Sequence, residues 1–118
     1  MNWKPLNEVG AVARLQENSH QRPVVIFKHS TRCSISDMAL NRLERAWNEQ
    51  EMEGTDAFFL DLIRHRDVSQ KVADSFQIAH QSPQALVIYQ GKCVYDTSHM
   101  GISYRALKEQ LAQLQASS

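Results

Sequence analysis

Val24-Val25-Ile26-Phe27-Lys28-His29-Ser30-Thr31-Arg32-Cys33-Ser34-Ile35-Ser36 is the stretch on which the reading of this 118-residue chain turns. The apolar run Val24 to Phe27 followed by polar turn residues predicts a buried strand ending in a loop. Beyond Cys33, residues Ile35, Ala39, Leu43 and Trp47 recur among polar neighbours at helical spacing, so a helix is expected to start at the cysteine. A thiol between a strand's carboxyl end and a helix's amino end meets unpaired N–H groups and the positive end of the helix dipole, and both favour the thiolate. A lone cysteine elsewhere reads as an ordinary small buried residue. In this position it predicts thiol redox chemistry.

Working outward, a first helix is expected from about Leu6 to Glu17, with Leu6, Val9, Val12 and Ala13 on one side. Glu53-Gly54-Thr55 marks the expected stop of the helix after Cys33. Ala57 to Ile63 reads as a second buried strand, and Val68, Val72 and Phe76 as the stripe of a third helix. Ala85 to Tyr89 and Cys93 to Tyr95, joined by Gln90-Gly91-Lys92, read as a hairpin. The last helix is expected from about Ser103 to Leu114, buried along Tyr104, Leu107, Leu111 and Leu114, with a loose Ala116-Ser117-Ser118 tail. Residues 1–118 thus predict a single α/β domain of order α-β-α-β-α-β-β-α. Its sheet would be four-stranded and mixed, with helices on both faces.

Thirteen basic and thirteen acidic side chains cancel, which argues against a nucleic-acid footprint or a polybasic membrane surface. No apolar run approaches the roughly 20 residues that span a bilayer. The segment Met1-Asn2-Trp3-Lys4-Pro5 lacks the pattern of a secretory signal, and two cysteines are too few for a disulfide scaffold, so a reducing cytoplasmic setting is expected. No metal is expected, because the five histidines show no zinc-type spacing with the cysteines.

Cys33-Ser34-Ile35-Ser36 is C-x-x-S, with serine where a dithiol oxidoreductase carries its resolving cysteine. Ser36 lies one helical turn on, where its hydroxyl is expected to donate to the thiolate. Lys28, His29 and Arg32 would add positive charge. Arg64 and Arg66 follow the second strand and reach the same sheet edge if the two strands are parallel. Cys93 belongs at the far edge, about 16 Å away for five extended residues. A disulfide needs Cα atoms within about 7 Å, so Cys33 should act without an internal partner. Asp96 to Gly101 returns to the active edge, where Thr97 or Ser98 is expected to cap the last helix. Trp3 and Trp47 read as packing residues.

The element order, with a cysteine after the first strand and a proline before the third, resembles the thioredoxin fold. That resemblance implies that Pro83 is a cis-proline beside Cys33 and that Ser82 pairs its backbone with an incoming thiol-bearing chain. The segments Lys28-His29-Ser30-Thr31-Arg32-Cys33-Ser34-Ile35-Ser36 and His80-Gln81-Ser82-Pro83-Gln84 together resemble the monothiol bacilliredoxins, the YtxJ-type proteins of the bacillithiol system. The resemblance covers essentially the whole chain.

It implies Cys33 as the reactive residue and thiol or substrate contacts from Thr31, Arg32, Ser36, Ser82, Pro83, Arg64 and Arg66. It further implies bacillithiol, a cysteine–glucosamine–malate thiol, as co-substrate, bacillithiolated proteins as clients, and no tightly bound cofactor. Two alternatives stay open at this level. One is a redox sensor or interaction module in which Cys33 is modified without client turnover. The other is a monothiol glutaredoxin-like iron–sulfur carrier, although those proteins have glycine where this chain has Ser34.

Overall fold

Residues 3–117 are described by the computed structural model. In chain order the elements are β1 (Lys4–Pro5), α1 (Val9–Asn18), β2 (Val24–His29), α2 (Ser34–Ala46), β3 (Asp56–Asp61), α3 (Arg66–Phe76), β4 (Gln84–Tyr89), β5 (Lys92–Ser98) and α4 (Tyr104–Ser117). The sheet order is β1-β3-β2-β4-β5. β2 runs parallel to β3, with Val24 opposite Asp56 and His29 opposite Asp61, and antiparallel to β4, with Val24 opposite Ile88 and Lys28 opposite Gln84. This is the thioredoxin fold.

β2 is buried along its whole length because helices cover both sheet faces. Val24, Ile26, Leu60, Leu86 and Ile88 pack with Val12 and Leu15 of α1 and Val68, Val72 and Phe76 of α3. Val25, Phe27, Ala85 and Val87 pack on the opposite side with Ala39 and Leu43 of α2 and Tyr104, Leu107 and Leu111 of α4. Trp3 joins that second core, its ring 5.8 Å from Trp47 and 6.0 Å from Phe27, so both tryptophans are packing residues.

Several local expectations give way to competing hydrogen bonds. The sheet has five strands rather than four, because Lys4 and Pro5 pair with Phe58 and Phe59. The Leu6 N–H extends that pairing to the Phe59 carbonyl at 2.9 Å, so α1 starts at Val9 instead of Leu6. Its inward residues are Val12 and Leu15, while Val9 and Ala13 face solvent. α2 stops at Ala46, well before Gly54, and the Asn48 side-chain oxygen then accepts from the Gln50 and Glu51 N–H groups at 3.0 and 3.1 Å. The inward face of α2 is Ser36, Ala39 and Leu43, and Ile35 lies on the exposed side.

β5 runs through Ser98, and α4 is capped by Ser103, whose hydroxyl accepts from the Ala106 N–H at 3.1 Å. Thr97 and Ser98 therefore do not cap it. α4 continues past Leu114 through Ser117, so Ala116 and Ser117 are helical; Ser118 lies outside the described residues. The hairpin turn is Gln90-Gly91, both at positive φ (54° and 80°), a two-residue primed turn that suits the twist of the flanking strands.

Candidate active site

Cys33 is the N-cap residue of α2, with extended backbone (φ −119°, ψ 117°). Its N–H donates to the Ser30 carbonyl at 3.2 Å, closing the turn out of β2, and its carbonyl accepts from the Asp37 N–H at 3.1 Å. The side chain is half-buried, the thiol is free, and its sulfur makes no hydrogen bond to a described residue. A sulfur at this end of a 13-residue helix sits where the dipole stabilises negative charge.

β2 ends in two polar residues that point to opposite faces, since strand side chains alternate. Both are buried: Lys28 is 1% exposed and His29 5%. His29 Nδ1 lies 2.7 Å from Ser36 Oγ, and its Nε2 is 3.5 Å from Asp37 Oδ1. Ser36 Oγ also accepts from the Ser30 N–H at 3.0 Å. The expected bond from Ser36 to the thiolate is thus replaced. The residue in the resolving-cysteine position is buried, and it ties the cysteine loop to β2 and α2.

On the other face, Lys28 Nζ donates to the Ser69 carbonyl at 3.3 Å and lies 3.4 Å from His80 Nδ1. Burial lowers its pKa from the ordinary 10.5 to about 8. It belongs to the α3 side of the sheet and not, as expected, to the set of cations around the thiol.

The Ser82–Pro83 peptide is cis, as the resemblance implied. Gln84, next in sequence, is fully buried. Its side chain holds the preceding loop: Nε2 donates to the Ala79 carbonyl at 3.1 Å and Oε1 accepts from the Gln81 N–H at 3.4 Å. No turn or loop hydrogen bond among the described residues engages the Ser82 N–H or carbonyl, and Ser82 Oγ is buried without a partner.

Parallel pairing of β2 and β3 brings the loop after β3 to the Cys33 edge, and the Leu62 N–H donates to the His29 carbonyl at 3.0 Å. Thr31, Arg32, Arg64 and Arg66 are all exposed. None of the ion pairs among the described residues engages the three arginines. Arg66, expected in the loop, is the first residue of α3.

Cys93 pairs with Ile88, which in turn pairs with Val24 at the start of β2, so the two cysteines occupy opposite ends of the sheet. Burial pushes the Cys93 thiol up to about 11.

Sequence reading did not assign the polar cluster in which buried Lys28 and Ser69 meet the exposed His80, nor the buried Gln84 that anchors the loop on either side of His80. A charged residue closing an apolar run, and a glutamine after a proline, were their visible traces.

Among the described residues no helix is long and apolar enough to cross a membrane. The chain is similar to a solved structure described as having a thioredoxin fold, with 26% identity over 89% of each chain and a TM-score of 0.76. It shares that fold with the thioredoxin of Trypanosoma brucei brucei, at 12% identity over 98% of this chain and 92% of that one (TM-score 0.75). The Fasciola hepatica thioredoxin matches at 16% identity over 93% and 97%, with a TM-score of 0.69. A sequence model of the family described as monothiol bacilliredoxin BrxC matches residues 4–107. With one thiol at the start of α2 and the other at the far end of the sheet, the chain belongs to the monothiol bacilliredoxin family and is a thiol redox protein of thioredoxin fold.

Proposed function

We propose that the protein removes bacillithiol from mixed disulfides on client proteins, with Cys33 as the sole attacking thiol. The observation that carries this reading is the pairing of a free thiol at the α2 N-terminus with a remote, half-buried second cysteine at the other end of the sheet. The Cys33 thiolate attacks the bacillithiol sulfur, a Cys33–bacillithiol disulfide forms, and the client sulfur leaves as a thiolate that takes a proton from water. A second low-molecular-weight thiol or another redox protein then attacks that disulfide and returns Cys33. No cofactor is required.

Two surfaces support a protein client. The Ser82 N–H and carbonyl, unused by the turns and loops around them, can pair with an extended client segment as an added strand. Ile35 and Met38 of α2 and Met100 of the 3-10 turn His99–Gly101 are 46%, 58% and 75% exposed, an apolar surround suited to varied partners. Arg42 of α2 donates twice to the Ile102 carbonyl, at 3.2 and 2.8 Å, which fixes that turn against the helix. Arg32, Arg64 and Arg66 provide cations for the malate carboxylates. The cytoplasm is the setting in which such a free thiol stays reduced.

The test is return of a client's free thiol after bacillithiol loading, measured with wild type and Cys33→Ser. Wild type should restore it and Cys33→Ser should not. Equal restoration by both defeats the reading.

A further inference from the structure

On the α3 side of the Cys33 edge lies a cavity of about 260 Å³ lined by Leu62, Arg66, Ser69, Gln70 and His80. Its floor is tied to the active loop through the Leu62–His29 hydrogen bond, and His80 lies three residues before Pro83. Lys28 does not line it, but its buried ammonium touches two of the lining residues, Ser69 and His80. Ser69 Oγ is 3.4 Å from the same His80 Nδ1.

A buried lysine is ordinarily balanced by a carboxylate. None of the ion pairs among the described residues engages Lys28 or Arg66. Two acids close in sequence to the lining residues bond to backbone: Asp67 Oδ1 accepts from the Val68 N–H at 2.9 Å, and Asp61 Oδ1 from the Ile63 and Arg64 N–H groups at 3.1 and 3.3 Å. Burial and the neighbouring Lys28 charge both lower the His80 pKa, which favours a neutral ring. With Nδ1 accepting from Lys28, the neutral ring carries its proton on Nε2 and remains a donor. The cavity lining therefore combines one exposed cation, a hydroxyl, an amide and an imidazole, with no acid among them, and the buried Lys28 ammonium lies against two of these residues.

We infer that this cavity, on the sheet edge that also carries the Cys33 loop, is a carboxylate-binding subsite that takes the anionic group of the low-molecular-weight thiol. The inference rests on the proposed exchange reaction for the identity of the ligand, and on the cavity alone for its chemistry. Lys28 supplies the uncompensated charge, and Arg66 closes on the carboxylate from the first turn of α3.

Two measurements on the full chain separate the two claims. In the first, L-malate is titrated into the protein and backbone amide shifts are followed. Saturable shifts centred on Leu62, Ser69, Gln70 and His80 are expected, with affinity weakened at least about tenfold in both Lys28→Met and Arg66→Gln. Absence of these shifts, or wild-type affinity in either variant, overturns the subsite even if exchange is intact. In the second, the client is loaded with bacillithiol or with cysteinylglucosamine, the same thiol without malate. The ratio of the two exchange rates should fall at least about tenfold in each variant. An unchanged ratio overturns the assignment of the subsite to the thiol's carboxylates. If malate binds as expected while wild type exchanges neither client, the subsite stands and the exchange reading fails.

Discussion

The two ends of the central sheet are built from different materials. At the Cys33 end, Lys28, His29, Ser30, Ser36, Ser69 and Gln84 are all buried and polar. At the Cys93 end, Val24, Val25, Val87 and Ile88 fill the interior, and Ser19 is the buried polar residue, where it serves the hairpin. Its carbonyl and hydroxyl accept from the Gln90 and Gly91 N–H groups at 2.9 and 2.8 Å. Buried polar groups contribute little net stability, and an unpaired buried charge costs stability. Their concentration at one end marks where the fold gives up stability to shape the sheet edge that carries the Cys33 loop. The lesson is that two cysteines in one small chain meet very different surroundings because of the end of the sheet each occupies.

The largest expected effect contrasts the thiols themselves. Cys33→Ser should lower the rate of client thiol release by on the order of a thousandfold or more, whereas Cys93→Ser should stay within about twofold. A large loss in Cys93→Ser would erase the contrast. Labelling sharpens it further: at pH 8 an alkylating reagent should modify Cys33 at least about tenfold faster than Cys93, read by peptide mass spectrometry. The cause on the Cys93 side is burial, which holds that thiol protonated up to about pH 11.

The polar end should also gain from losing its charge. Lys28 has a folded pKa of about 8 against an ordinary 10.5, so the unfolded chain holds the proton more tightly. The resulting cost is full below about pH 8 and fades as pH rises toward 10.5, because there the native state has already released the proton. Lys28→Met should therefore be more stable to urea at pH 7 by on the order of 3 kcal/mol, with the gap narrowing by pH 10. A destabilised variant at pH 7 would mean that Lys28 holds its surroundings together instead of straining them.

Ser36→Ala should cost about 1–2 kcal/mol in urea unfolding, since it strands the buried Ser30 N–H and a His29 ring nitrogen. At the opposite end, Gly91→Ala should cost about 1 kcal/mol, because Gly91 sits at φ 80° and an added Cβ would lie 3.1 Å from the His20 ring. That variant should leave client thiol release unchanged. A loss of exchange in Gly91→Ala would show that the two ends are not independent.

How much of this was visible in the sequence follows the same division. The strand–cysteine–helix junction was legible because Val24 to Phe27 is contiguous and apolar, and the hairpin because Gln90-Gly91 sits between apolar runs. The cis peptide before Pro83 came from the resemblance, since spacing does not encode an isomer. β1 was not legible: two residues, one of them proline, carry no period. The polar end was read only in part, because Lys28, Ser36 and Gln84 have side chains that solvated loops and helix faces use equally well. Their burial is decided by what packs over the strand end, namely α3, the turn before Pro83 and the first turn of α2. The same tertiary effect turned Ser36 inward and left Ile35 outside.

The central claim is that Cys33 works without a second thiol from its own chain. The most direct measurement is the intact mass of the reduced protein after reaction with one equivalent of bacillithiol-loaded client, followed by peptide mapping. The account predicts a single bacillithiol adduct on Cys33, with Cys93 remaining a free thiol. A product two hydrogens lighter than the reduced chain, with Cys33 and Cys93 joined, would contradict it.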